Sequence, residues 1–188
     1  MVHINFNNKF LIALSDTHGR HRELSIQPCD FLIHCGDICI DGDDLQINDF
    51  FEWFSKTPAK YKLFISGNHD YPFVFEPDDA LALVSENIIL MENRTITLQG
   101  ITFHGIRSQE NLFELPRKQS SKINFLLTHV PPNSILDDGI GCSYLLKWVK
   151  MQQPDFHLFG HVHKFGQQSL TINETQFINA CSFIKEKK

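Results

Sequence analysis

The sequence predicts an α/β protein, of mixed α+β character, in which two β-sheets pack as a sandwich flanked by helices. Five short segments are almost continuously apolar, which is typical of strands covered on both faces. They are residues 10–14, 31–35, 61–65, 123–127 and 156–159. Helix-like segments alternate with them, and strand pairs with polar turns lie in the middle and near the end. This mixture implies helices packed on sheets.

Three segments predict helices. Residues 43–56 begin with acidic residues suited to an N-cap and carry a broad apolar stripe. The stripe consists of Leu45, Ile47, Phe50, Phe51 and Phe54. Residues 77–86 start with a proline and two aspartates, and residues 141–153 stop before Pro154, which are favourable helix boundaries. Further strands are expected at residues 88–91, 94–98, 101–106, 167–172 and 176–180.

Composition indicates one globular domain spanning residues 1–188. The 42% hydrophobic and 21% charged residues are an ordinary globular balance, which excludes a disordered chain. The net charge of −5 argues against general nucleic-acid binding and against an anionic membrane surface. No apolar run approaches the ~20 residues that span a bilayer. Five cysteines without a secretion signal suggest reduced thiols, so we expect a cytoplasmic protein; the oligomeric state stays open.

Each of the five apolar segments is followed at once by a polar cluster. The clusters are SDTH at 15–18, GD at 36–37, SGNHD at 66–70, TH at 128–129 and GHVH at 160–163. Ligand sites in open α/β sheets gather at the carboxyl ends of strands. If the strands are neighbours, we therefore expect the five clusters to meet at one edge.

The side chains in these clusters are typical of a site for two metal ions. Carboxylates, imidazoles and one amide suit Mn, Fe or Zn better than Ca, and no thiolate is required. The groups are too many for one ion, so we expect two divalent ions about 3.5–4 Å apart with a shared carboxylate. Mn²⁺ is the first choice, with Fe, Zn or Mg as alternatives.

The ordered set D-x-H, G-D, G-N-H-D, T-H and G-H-x-H resembles the calcineurin-like metallophosphoesterase superfamily. The resemblance runs from Asp16 to His163. Residues 128–132 (THVPP), 136–137 (LD), 141–142 (GC) and 179–180 (NA) resemble the metallophosphoesterase-domain-containing subfamily, near the class III cyclic-nucleotide phosphodiesterases. The resemblance implies the four-layer metallo-dependent phosphatase fold.

The resemblance also implies a role for each cluster residue. Asp16, His18 and His163 correspond to ligands of the first ion, Asn68, His129 and His161 to ligands of the second, and Asp37 to the bridging carboxylate. His69 resembles the catalytic histidine that is not a ligand, and Asp70 resembles the partner that orients it.

These roles predict hydrolysis of small phosphodiesters such as cyclic nucleotides. Two cations and a bridging carboxylate would hold a water and lower its pKa until hydroxide is available near neutral pH. That hydroxide would attack a phosphate bound across both ions. The departing alkoxide needs a proton, and the imidazole of His69 is a suitable general acid.

Three alternatives remain open at this stage. The same site could serve a phosphomonoesterase or phosphoprotein phosphatase, a nuclease, or a metal-binding scaffold without activity. The acidic net charge and the lack of a Lys/Arg stripe count against a nuclease. The full ligand set counts against a scaffold.

Several residues outside the clusters carry weaker expectations. His34 and His157 lie inside strand-like segments and are expected to be packing residues, and Cys35 and Cys39 to be buried thiols. Arg107 could reach a substrate phosphate, but a solvated loop cation is the preferred interpretation. The role of His104 stays open, and residues 106–116 would line the substrate side.

Overall fold

Two mixed β-sheets form the centre of the fold. The computed structural model describes residues 1–107 and 118–183. The first sheet consists, in spatial order, of β1 (Val2–Phe6), β2 (Lys9–Leu14), β3 (Cys29–His34), β4 (Ala59–Phe64) and β5 (Ile88–Leu90). β1 is antiparallel to β2, and the other pairs are parallel. The carboxyl ends of β2, β3 and β4 therefore lie at one edge.

The second sheet has six strands and is likewise mostly parallel, with antiparallel strands at its edges. Its strands are β6 (Thr95–Leu98), β7 (Ile101–Gly105), β8 (Phe125–Leu127), β9 (Phe156–Phe159), β10 (Ser169–Ile172) and β11 (Thr175–Asn179), in the spatial order β10-β11-β9-β8-β7-β6. The four central strands are parallel, whereas β6 and β10 are antiparallel edge strands. β8 and β9 thus also end at one edge.

Helices cover the outer faces of both sheets. They are α1 (Asp44–Lys56), α2 (Pro72–Phe75), α3 (Pro77–Leu83) and α4 (Ser143–Gln152), and short 3₁₀ turns lie at His21–Glu23 and His163–Phe165. Asp43 caps α1, because its carboxylate accepts a hydrogen bond from the amide of Gln46 (3.0 Å). Among the described residues, no helix is long and apolar enough to cross a membrane.

Alternating residues of the strands separate the core into layers. Leu11 of β2 belongs to the core between the sheets, whereas its neighbour Ile12 packs with α1 residues on the outer face. Between the sheets, the ring of Phe125 stacks on Phe156 at 4.7 Å and on Phe103 at 5.3 Å. A third cluster packs α4 on the outer face of the second sheet. The order helix, sheet, sheet, helix confirms the predicted fold class.

The structure corrects the sequence interpretation at three places. β1 was not expected; Asn7 and Asn8, with φ of 50° and 58°, form the two-residue turn that joins it to β2. α2 was not expected either. Leu45 does not belong to the buried stripe of α1, because it is 80% exposed. Residues 108–116 of the segment expected to line the substrate side lie outside the described residues.

Truncation of Phe125 tests the sandwich. Phe125→Ala leaves a cavity between the sheets, so we expect the free energy of unfolding to fall by about 3–5 kcal/mol. Leu45→Ala is the control on an exposed site, with an expected change below about 0.5 kcal/mol. Urea denaturation followed by circular dichroism measures both, and similar small losses in the two variants would contradict this packing.

Candidate metal centre

The five polar clusters meet where the two sheets meet. The amide of Asp16, after β2, donates to the carbonyl of Gly36, after β3 (2.9 Å). The amide of Gly160, after β9, donates to the carbonyl of His129, after β8 (2.9 Å). The amide of His161 joins the two sheets by donating to both oxygens of Asp16, at 3.1 and 3.0 Å. The predicted edge is therefore shared by both sheets.

Asp16, His18 and His163 form the first group of candidate ligands. One ligand atom from each lies within 4.8 Å of the others. His163 Nε2 is 3.2 Å from Asp16 Oδ1 and 3.2 Å from His18 Nε2. His18 Nδ1 is 3.0 Å from the carbonyl oxygen of Cys39, which can only accept a hydrogen bond. Nδ1 therefore carries the proton, and the other ring nitrogen, Nε2, is free to face the group as a ligand atom.

Asp37, His129 and His161 form the second group, again with ligand atoms within 4.8 Å of one another. The amide oxygen of Asn68 joins it, at 2.9 Å from His129 Nε2 and 2.8 Å from His161 Nδ1. His129 Nδ1 lies 2.7 Å from the carbonyl of Cys35, so its Nε2 faces the group in the same way as in His18. The structure thus brings together, in two groups, the six residues that the resemblance implies as ligands besides Asp37.

Asp37 stands between the two groups. Its Oδ2 lies 3.2 Å from His129 Nε2 and 3.9 Å from His18 Nε2, and its Oδ1 accepts a hydrogen bond from the amide of His69 (2.9 Å). One carboxylate therefore reaches both groups, as a bridging ligand must.

The buried carboxylates of the centre are ionised. Burial alone would raise the pKa of Asp16, but the hydrogen bond from His163 and the charge of His129 hold it well below its ordinary value. His129 likewise lowers the pKa of Asp37 against the effect of burial. Burial would lower the pKa of His129, yet the carboxylates of Asp37 and Asp16 raise it to about 10. The two carboxylates thus favour positive charge at this position.

Four candidate ligands adopt left-handed backbone conformations. The φ angles are 56° for Asp16, 43° for His18, 60° for Asp37 and 68° for His161. Residues other than glycine are uncommon in this region, and such strain persists only where surrounding contacts enforce it. This local geometry directs the side chains into the centre, and the sequence gives no sign of it.

Two glycines let the clusters approach each other. A Cβ on Gly67 would lie 2.2 Å from Asp37 Oδ1, and a Cβ on Gly160 would lie 2.2 Å from Asp16 Oδ2. Both carboxylates therefore pack directly against glycine backbone, which explains why these clusters contain glycine.

His69 borders the first group. Its ring and the ring of His18 form an edge-to-face pair, with the centroids 5.0 Å apart. Its Nδ1 contacts the carbonyl of Ile40. His69 is thus beside the candidate ligands without belonging to either group.

The predicted role of Asp70 is wrong. Its Oδ2 accepts hydrogen bonds from the amides of Asp37 (2.8 Å) and Gly67 (2.9 Å), and its Oδ1 accepts from the amide of Ile38 (2.9 Å). Burial and the nearby Asp37 raise the pKa of Asp70 to about 6. Asp70 therefore holds the loop that carries Asp37, whereas the ring of His69 is oriented by a backbone carbonyl.

Two buried histidines support the neighbouring loops. His34 Nδ1 accepts a hydrogen bond from the amide of Gly36 (3.2 Å), and its Nε2 lies 3.1 Å from Thr17 Oγ1. His157 Nε2 lies 2.9 Å from Thr128 Oγ1. Burial lowers the pKa of each imidazole to about 3. The expectation of buried packing residues is confirmed, but the sequence did not reveal that both also hold a cluster in place.

Asn179, at the end of β11, is a supporting residue that sequence reasoning missed. It is fully buried, its amide nitrogen donates to the carbonyl of Val162 (2.9 Å), and its Oδ1 accepts from the amide of Cys181 (3.0 Å). It fixes the loop that carries His161 and His163. Asn179 entered the sequence analysis only as part of the NA motif at 179–180 and was assigned no role there.

The structure also resolves the residues with open roles. Arg107 is not a solvated loop cation: it is half-buried, with Nε 3.5 Å from Glu92 Oε2 and a guanidinium contact to the carbonyl of Phe73. His104 is buried and stacks on Trp148 at 5.2 Å, and burial lowers its pKa to about 4. Cys35 and Cys39 are buried free thiols, as predicted.

A family model described as calcineurin-like phosphoesterase matches residues 11–165. The chain therefore belongs to the calcineurin-like phosphoesterase family. Membership and fold together support a metal-dependent phosphoester hydrolase, and the family implies divalent metal ions.

Two relatives agree with the resemblance inferred from the motifs. UPF0046 protein K07C11.7 of Caenorhabditis elegans is 32% identical over 90% of this chain and 68% of its own length. Metallophosphoesterase domain-containing protein 1 of Homo sapiens is 28% identical over 90% of this chain and 64% of its own length. The chain thus spans about two thirds of these relatives.

Solved structures agree in fold. Phosphopantetheinyl hydrolase from Mycobacterium tuberculosis superposes with a TM-score of 0.66 at 14% identity, over 91% of this chain and 88% of that one. TT1561 of Thermus thermophilus superposes with a TM-score of 0.62 at 12% identity, over the same shares. At such identities the likeness shows the fold alone.

The donors present fit a pair of divalent ions. Each group combines imidazole nitrogens with a carboxylate, and backbone carbonyls already select the nitrogen that would bind in His18 and His129. Such nitrogen and oxygen donors suit Mn, Fe or Zn. The ionised carboxylates further favour a cation at this position.

Replacement of Asp37 tests the pairing of the two groups. Asp37→Ala removes the one carboxylate that reaches both groups, so we expect it to lose most of the Mn²⁺ bound by the unchanged protein. The exposed Asp78→Ala is the control and should bind Mn²⁺ normally. Equilibrium dialysis with metal analysis measures the stoichiometry, and circular dichroism verifies the fold. Full Mn²⁺ occupancy in folded Asp37→Ala would contradict the shared site.

Proposed function

We propose that this chain, as a single domain, is a phosphodiesterase that hydrolyses small phosphodiesters, cyclic nucleotides among them, with two Mn²⁺ ions and with His69 as the general acid. The observation that carries the proposal is the position of Asp37 between two groups of metal-type ligands, with His69 at their border. The five free cysteines of the described residues support a reducing, cytoplasmic location.

Seven side chains would hold the ions. Asp16, His18 and His163 would hold the first, Asn68, His129 and His161 the second, and Asp37 both. Two such ions supply Lewis-acid stabilisation of phosphate charge and a water of lowered pKa. The protein supplies the fixed geometry. The left-handed loops and their hydrogen bonds keep the ligand atoms in position, so these side chains need little rearrangement when a metal ion binds.

His69 is placed to protonate the leaving group. The contact between its Nδ1 and the carbonyl of Ile40 orients the ring and keeps a proton on Nδ1. Nε2 is then the nitrogen that can give a proton to the departing oxygen. Because His69 lies at the border of the first ligand group, that oxygen would leave on the same side.

The surface next to His69 favours a substrate with an apolar or aromatic part. Ile40, Tyr71 and Phe75, which we call the apolar rim, are 48%, 42% and 76% exposed. Tyr71 is connected to the loop of Ile40 through a contact between its hydroxyl and the carbonyl of Asp41. Its ring centroid is 6.4 Å from that of Phe75. A nucleobase could stack on such rings, which supports cyclic nucleotides among the phosphodiesters.

Removal of His69 tests its role as the acid. His69→Ala should retain both Mn²⁺ ions and lose about 10²–10⁴-fold in rate on an alkyl phosphodiester. The loss should be much smaller for bis(4-nitrophenyl) phosphate, since its phenolate leaves without a proton. Steady-state kinetics on both substrates measure the ratio. An equal loss on both substrates would assign His69 to binding rather than to proton transfer.

A substrate panel of the unchanged protein separates the alternative activities. DNA tests for a nuclease, a phosphopeptide for a phosphoprotein phosphatase, and a phosphomonoester for a phosphomonoesterase.

Truncation of Phe75 tests the contact with a base. Adenosine 2′,3′-cyclic phosphate and ribose 2′,3′-cyclic phosphate present the same reactive ring with and without the base. We expect Phe75→Ala to lower kcat/KM by about 5–100-fold for the adenosine compound, as for the loss of one stacking contact, and to leave the ribose compound unchanged. Val74→Ala, at an exposed neighbour, is the control. Equal effects of Phe75→Ala on both compounds would show that the apolar rim does not recognise the base.

A further inference from the structure

Cys181 joins the two sheets beside the candidate metal centre. It follows β11 of the second sheet, is fully buried, and forms a parallel bridge with Ser15, which follows β2 of the first sheet. The amide of the next residue, Ser182, donates to the carbonyl of Ser15 (2.9 Å). The thiol is thereby brought next to Asp16, although the two residues are far apart in sequence.

The two oxygens of Asp16 face different surroundings. Oδ1 lies 3.2 Å from His163 Nε2 and 4.0 Å from His18 Nε2, so it faces the other ligands of the first group. Oδ2 lies 2.9 Å from the sulfur of Cys181 and packs against Gly160, where a Cβ would come within 2.2 Å of it. The amide of His161 contacts both oxygens. Oδ2 is therefore enclosed by protein.

The thiol is the donor in this contact. A thiol has one hydrogen to donate, and the Cys181 sulfur lies 2.9 Å from Asp16 Oδ2. The carboxylate oxygen is the acceptor in this contact. A hydrogen bond from S–H to this oxygen holds it in place and discourages rotation of the carboxylate.

We infer that Cys181 is a positioning residue, whose thiol fixes Oδ2 of Asp16 and thereby keeps Oδ1 directed toward the two histidines of the first group. This inference rests on the metal centre of the proposed function. Partners that orient a ligand in this way commonly contribute 10–100-fold to metal affinity. The thiol itself lies on the oxygen that is turned away from the histidines, so it acts on the carboxylate and not as a sulfur ligand.

Three variants of the full chain separate positioning from packing. Cys181→Ala removes the donor, Cys181→Ser keeps a donor, and Cys29→Ala removes another free thiol, at the start of β3 and so at the end of that strand away from the centre. We expect Mn²⁺ affinity, measured by titration calorimetry, to fall about 10–100-fold in Cys181→Ala. It should stay within a few-fold of the unchanged protein in Cys181→Ser and in Cys29→Ala.

A second measurement needs neither metal nor activity. The infrared S–H stretching band of Cys181, isolated as the difference between the unchanged protein and Cys181→Ser, should lie at the lower frequency of a hydrogen-bonded thiol. Asp16→Asn should move this band, because the charged acceptor is lost. A band that Asp16→Asn does not move would overturn the hydrogen bond.

The outcomes distinguish this inference from the proposed function. Normal Mn²⁺ affinity in Cys181→Ala, or equal losses in the Ala and Ser variants, would overturn the positioning role and leave the proposed function intact. Failure of the unchanged, folded protein to bind Mn²⁺ would overturn the metal centre, and the positioning role with it.

Discussion

Two ionised carboxylates buried where the sheets meet are the constraint on which the candidate site depends. Burial would neutralise Asp16 and Asp37, so donors and positive charge must reach them from other parts of the chain. The amide of His161 and the imidazole of His129 come from the second sheet, whereas both carboxylates follow strands of the first. Satisfying the carboxylates therefore fixes how the two sheets meet at this edge.

The same constraint accounts for residues that never face the centre. The left-handed turns at Asp37 and His161 are sterically unfavourable. Buried hydrogen bonds hold the loops that contain them: Asp70 accepts one from the amide of Asp37, and Asn179 donates one to the carbonyl of Val162. His34 acts similarly on the loop of Gly36. Because these supports are buried and fully connected to backbone, the donor atoms are preorganised before any ion arrives.

The sequence predicted the layered fold correctly, and the residues it predicted as ligands come together in the structure, because both depend on local patterns. An apolar segment followed by a polar cluster marks a strand end regardless of its partners. The errors concern where a side chain points and which distant residues surround it. Asp70 follows His69 in the sequence, yet its carboxylate turns toward the amides of Asp37 and Gly67. Arg107 looked solvated because Glu92 and Phe73 come from distant segments.

By itself, the sequence determined which strands are buried, which side chains end them, and that these side chains suit two divalent ions. Hydrophobic pattern and ligand chemistry are properties of residue types and their order. Only the tertiary structure decided that Asp37 lies between the two ligand groups, that Ile40 orients His69, and that Cys181 contacts Asp16. These contacts join residues far apart in the chain, and their geometry follows from backbone turns and sheet packing that no local pattern specifies.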